Sequence, residues 1–72
     1  MLNLVATAMR RAQKIRYYHA HGGPQGYDQA MHYYSELSKV ARKASRDDLP
    51  VILDIKSECD VLMAEMKQKT LK

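Results

Sequence analysis

The chain has 72 residues, 46% of them apolar and 28% charged, with a formal net charge of +4. A chain this short forms one domain at most and buries only about 60% of the surface it would expose unfolded, which leaves little room for a deep active-site cleft. Ordinary apolar usage argues against wholesale disorder, the single cysteine (Cys59) rules out an internal disulfide framework, and no apolar run approaches the roughly twenty residues that span a bilayer.

Leu4, Val5, Ala8, Ala12, Ile15 and Tyr18 recur at steps of three and four, with Arg10, Arg11, Lys14 and Arg16 mostly on the other side. That is the period of an amphipathic helix, predicted over residues 2–20. His21-Gly22-Gly23-Pro24-Gln25-Gly26 then supplies glycines able to take positive φ and a proline that cannot continue the ladder, so the chain reverses there. A second helix is predicted over residues 27–46, with Asp28 at its positive end as an N-cap or dipole partner. Its inward stripe would be Ala30, Tyr34 or Tyr33, Leu37, Ala41 and Ala44. Lys39, Arg42 and Lys43 crowd its later turns, where cations suit the negative end of a helix.

Asp47-Asp48-Leu49-Pro50 marks the next boundary. Proline disfavours helix at the residue before it and is tolerated at the first helical position, and either aspartate can cap. The third helix, residues 50–69, has the clearest pattern: Ile52, Ile55, Cys59, Leu62 and Met66 alternate steps of three and four, and Val51, Leu53, Val61 and Met63 widen the apolar surface. Three helices of about 18 residues, each about 27 Å long and joined by short turns, predict an all-α antiparallel three-helix bundle over residues 1–72. Its core would be aliphatic, Met and Tyr, because Phe and Trp are absent while Met and Tyr occur five times each.

The placement of charge is more informative than its sum. Residues 28–48 and 49–72 each balance four bases against four acids, so the whole excess lies in residues 1–27, which contain no acid. Such a field attracts nucleic acid, anionic lipid or an acidic protein surface. An acid-free, arginine-bearing leader is also the composition of a mitochondrial presequence, but those rarely run straight into a capped helix pair, and the chain reads as cytoplasmic.

Residues 26–37, Gly-Tyr-Asp-Gln-Ala-Met-His-Tyr-Tyr-Ser-Glu-Leu, resemble the G-x-Y-D-x-A-x-x-Y-Y pattern that opens the second helix of tetratricopeptide-like hairpins. The pattern occurs once, and a lone hairpin must be closed by another element, for which the third helix is the natural lid. A hairpin closed in this way within seventy to eighty residues resembles the microtubule-interacting and trafficking (MIT) domain. Residues 53–67, Leu-Asp-Ile-Lys-Ser-Glu-Cys-Asp-Val-Leu-Met-Ala-Glu-Met-Lys, are similar to the last helix of the katanin branch of that family. The two stretches cover about half the chain. Three features depart from the pattern: the first turn is longer, the connection before Pro50 shorter, and the first helix lacks its customary acids.

The resemblance implies a cytoskeleton-associated adaptor at the front of a microtubule-severing AAA ATPase, whose motor would follow residue 72. Its partners would be the katanin regulatory subunit and the microtubule. The alternative within the family is an endosomal-sorting adaptor that holds the helical tails of ESCRT-III subunits. A small self-associating helical regulator is the alternative outside it.

No catalytic constellation emerges. Gly22-Gly23-Pro24-Gln25-Gly26 lacks the lysine and hydroxyl residue of a phosphate-binding loop, and Cys59 on a core seam reads as a buried, inert thiol. His19 and His21 are two apart and diverge on a helix, and no second cysteine follows Cys59 at ligand spacing, so neither metal nor cofactor is expected. The candidate binding residues are a basic face of Arg10, Arg11, Lys14, Arg16, Lys39, Arg42 and Lys43, and a groove beside the third helix lined by Val61, Met63 and Met66. A nucleic-acid partner is not expected, because the Gly/Pro turn fits a helix-turn-helix poorly, and the isolated domain reads as a monomer.

Overall fold

The structure, a computed structural model, describes residues 3–70. These fold into three α-helices, α1 (Leu4–His21), α2 (Gly26–Lys43) and α3 (Leu49–Thr70), with a 3₁₀ turn at Gly23–Gln25 and no strand among the described residues. Every helix packs on both others, forming a rod of 41 × 18 × 15 Å. The fold is the three-helix bundle that the periodicity predicts; Leu2, its expected first helical residue, lies outside the described residues.

Local chemistry sets each boundary. Asn3 caps α1 by accepting the Ala6 N–H at 3.1 Å, and its carbonyl accepts the Thr7 N–H at 3.0 Å. At the other end Gly22 donates to the Tyr18 carbonyl at 2.8 Å, and the 3₁₀ turn passes directly into α2 at Gly26. Asp28 therefore lies in the first turn of α2, where its charge meets the helix dipole, and not at the N-cap, which is Gln25. The second helix ends at Lys43, three residues short of the predicted Arg46, because Ala44 turns extended (φ −69°, ψ 145°). Ser45 then organises the reversal: its hydroxyl accepts the Asp48 N–H at 3.4 Å and its carbonyl the Leu49 N–H at 2.9 Å. The Asp48 carbonyl accepts the Ile52 N–H at 3.0 Å as α3 begins.

The core is built from Ala8, Ala12 and Ile15 of α1, Ala30, Leu37 and Val40 of α2, and Ile52, Cys59, Met63 and Met66 of α3. Leu4, Val5 and Tyr18 flank it, so the whole predicted α1 stripe faces inward. On α2, Val40 is buried where Ala41 and Ala44 were expected to be, and these two alanines lie at the core's edge. Tyr33 and Tyr34 are both half-buried, each serving a different neighbour. Tyr33 stacks on Tyr18 of α1 with ring centroids 6.0 Å apart, while Tyr34 reaches Asp60 and Lys56 of α3.

Of the glycines in the first turn, only Gly23 has positive φ, at 59°. Gly22 and Gly26 are required for space. A Cβ on Gly22 would lie 2.5 Å from the Gly26 Cα, and one on Gly26 would lie 2.7 Å from the Tyr18 carbonyl oxygen. Both obstacles are backbone, which cannot swing aside. Gly22→Ala or Gly26→Ala should therefore destabilise the bundle by about 1–3 kcal/mol, the cost of overpacking, outweighing the roughly 0.5–1 kcal/mol that alanine gains within a helix. Urea denaturation followed by circular dichroism measures this; variants as stable as the parent would show that the helices do not cross this closely.

Candidate functional site

The seven cations expected to form one basic face are distributed over different surfaces. Arg10, Arg11 and Lys14 stand together on α1, where with Gln13, Tyr17 and Tyr18 they line an open recess of about 420 Å³. Arg10 and Lys14 are four residues apart, and Tyr17 and His21 continue the same stripe at steps of three and four. Tyr17 is 57% exposed, its ring set edge-on to Tyr18 at 5.3 Å and tilted against His21 at 5.2 Å. Since Tyr18 in turn stacks on Tyr33, the aromatic wall of the recess is tied to α2. Arg10 donates to the Thr7 hydroxyl at 3.4 Å, and Arg11 Nε is buried with no hydrogen-bond partner.

Arg16 does not join this group. Two residues beyond Lys14 is a rotation of about 200° on a helix, which carries Arg16 to the α3 side. There its guanidinium bridges to Glu58 at 2.7 Å. Lys39 approaches Glu36 at 3.8 Å, and with Arg42 it lines a separate depression on α2 beside Met31, Tyr34, Ser35 and Ser38. Lys43 is exposed in the last turn of α2.

The groove expected beside the third helix is also redrawn. Met63 and Met66 are core residues, because α3 packs against two helices and its buried arc is wide, whereas Val61 is 61% exposed. The apolar groove lies instead between α1 and α3, lined by Met9, Ala12, Gln13, Arg16, Val51, Ile55 and Glu58 and enclosing about 270 Å³. Met9 is 53% exposed there, and the Arg16–Glu58 pair spans the groove's edge. Val51 was legible as surplus apolar surface; Met9 was not singled out, because one methionine among arginines gives no pattern.

Three further polar side chains of α3, Glu65, Asp60 and Lys56, reach its neighbours. Glu65 lies 3.3 Å from His19 Nε2 of α1. Tyr34 donates to Asp60 and accepts from Lys56 at 3.0 Å, and the Lys56 ammonium sits 5.0 Å from the Tyr34 ring centroid. The Tyr34 hydrogen bond, reinforced by the nearby Asp60 charge, raises the Lys56 pKa above 10.5 despite some desolvation. Cys59 is buried, and desolvation pushes its thiol pKa up, so its reactive thiolate is disfavoured. His21 rests on Tyr17 and His32 on Tyr33, and among the described residues no three His, Cys, Asp or Glu side chains gather where they could hold a metal.

No family model, curated protein or solved structure matches the chain. No helix among the described residues is long and apolar enough to cross a membrane.

The α2–α3 bridge is open to a direct test. Tyr34→Phe keeps the ring and deletes the hydroxyl, and should cost about 1 kcal/mol in thermal or urea unfolding. Because the folded pKa of Lys56 is raised, its contribution is fully present below pH 10.5 and is lost as pH rises through the folded value. The parent should thus lose stability toward strong alkali more steeply than Tyr34→Phe, by only a few tenths of a kcal/mol given the solvent around the ammonium. Identical alkaline limbs would show that the bridge does not form.

Proposed function

We propose that this chain is a non-catalytic, MIT-like adaptor domain that docks an acidic protein surface through the outer face of α1. The carrying observation is the carboxylate-free stripe of Arg10, Arg11 and Lys14 around an open recess, in a chain whose residues 28–48 and 49–72 each balance their own charges. The tyrosine-rich motif that opens α2, the glycine crossing before it and the closure by α3 support the family reading. In that reading the domain serves a katanin-like microtubule-severing AAA ATPase, associates with the cytoskeleton, and engages the regulatory subunit and the acidic surface of tubulin.

Cosedimentation with microtubules at rising salt checks this. Reversing Arg10, Arg11 and Lys14 to glutamate should weaken binding at least about tenfold, and salt should weaken the parent's binding, since exposed charges are screened within about 8–10 Å. Reversing Arg16, already paired with Glu58, should have a smaller effect on binding, as should reversing Lys39, Arg42 and Lys43. No binding at low salt, or binding indifferent to the α1 triple reversal, removes the tubulin part of the proposal.

A second reading rests on a different observation, the exposed apolar lining of the α1–α3 groove. Met9, Val51 and Ile55 there would accept the apolar face of a partner helix, as an endosomal-sorting adaptor would accept an ESCRT-III tail. Titration with labelled tail peptides separates the two. Groove binding should fall at least about tenfold in Met9→Asp and respond weakly to salt, whereas the α1 triple reversal should leave it nearly unchanged.

A further inference from the structure

The recess on α1 has features that a generally acidic surface would not use. Resting on the proposed docking of an acidic partner through this face, we propose that Arg10, Arg11 and Lys14 bind a phosphorylated side chain within an acidic segment of that partner protein. The three cations line one concavity, and among the described residues none of them has a carboxylate within 4.0 Å. Arg16, which has one, faces a different groove. The recess is therefore a site of unneutralised charge, in which Arg10 meets only the neutral Thr7 hydroxyl.

Arg11 sharpens the chemistry. Its Nε is removed from water and unpaired, so one N–H of its guanidinium lacks the hydrogen bond that a buried donor needs. An arriving acceptor reaches that Nε only if the side chain swings outward, and otherwise meets the outer nitrogens of the guanidinium. A carboxylate brings one charge and a planar pair of oxygens, which a single arginine fork satisfies, leaving the other two cations with little to gain. A phosphomonoester brings nearly two charges and three acceptor oxygens pointing in different directions, which suits three cations around a concavity. The wall formed by Tyr17 can pack against the chain on either side of the phosphate.

A membrane fits less well. Of the exposed large apolar side chains that would enter a bilayer, Met9, Val51, Leu53 and Val61 lie outside this recess and Tyr17 alone lines it.

Fluorescence anisotropy with a labelled acidic peptide carrying one central phosphoserine, beside the same peptide with serine, tests the inference on the 72-residue chain. The phosphorylated peptide should bind at least about tenfold more tightly at fixed salt. Arg11→Ala and Lys14→Ala should each erase most of that difference, while Lys39→Ala should keep it. Arg11→Lys, which retains charge without the fork, should keep only part. Arg10 and Lys14 are solvent-exposed, so their alanine variants report on binding even where an Arg11 variant fails to fold.

Equal affinity for the two peptides, with both still sensitive to the α1 cations, would overturn the phosphate inference and leave the acidic-surface reading standing. Failure of both peptides and of microtubules to bind would overturn both. Tighter binding to phosphatidylserine vesicles or to single-stranded DNA than to the phosphopeptide would also overturn it.

Discussion

Where α1 hands over to α2, the two backbones come too close for a side chain to stand between them. A Cβ on Gly22 would sit 2.5 Å from the Gly26 Cα and equally close to the Tyr18 carbonyl oxygen, and only glycine at both positions allows the crossing. This contact fixes the closed end of the hairpin. With that end fixed, Tyr18 falls on Tyr33, and the small residues Ala8, Ala12 and Ala30 bring the rest of the two helices together. The third helix then meets a groove whose shape is already determined. Met66 reaches back to this end, its Sδ 3.9 Å from where a Gly26 Cβ would be, so the closure by α3 registers on the same crossing.

The energy that seals α3 comes from Ile52, Cys59, Met63 and Met66, each removed from water; for residues of this kind full burial contributes roughly 1.5–3 kcal/mol for the larger side chains. The polar pairs around that seam have a different role. Arg16 with Glu58 and His19 with Glu65 join α1 to α3, and Tyr34 with Asp60 and Lys56 joins α2 to α3. Exposed pairs of this sort contribute little stability. Flexible methionines specify position weakly, however, and directional contacts at the rim restrict the sliding that such a core would tolerate. The apolar seam supplies the free energy and the polar rim supplies the register.

Periodicity made the helices legible because a helix repeats its environment every 3.6 residues, and all six inward residues of α1 could be read that way. The misjudged features are those that depend on what lies beside a helix. Residues 44–46, Ala-Ser-Arg, are compatible with helix, and only the hydrogen bonds of Ser45 in the reversal show why α2 stops at Lys43. Met63 and Met66 looked available to a partner because the width of the buried arc on α3 is set by two neighbours and not by its own sequence. The basic face was grouped by closeness in the chain, which placed Arg16 with Lys14, although rotation about the helix separates them. The stripe of Arg10, Lys14, Tyr17 and His21 was readable from spacing alone, but a search for charge passes over the aromatic members that complete the recess.

Among the described residues the cations of that stripe make no ion pair that holds the bundle together. Arg10 and Lys14 are like charges four residues apart, an arrangement that costs a helix about 0.2–0.5 kcal/mol, and the first turn of α1 contains no acid to offset the concentration of positive charge. On α3 the placement is the opposite: Glu58, Asp60 and Glu65 are each directed at a side chain of a neighbouring helix. A neutral polar α1 surface would be at least as stable and easier to hydrate around Arg11. On the proposed reading an acidic partner supplies the missing counter-charge, and by linkage it would stabilise the bundle it binds.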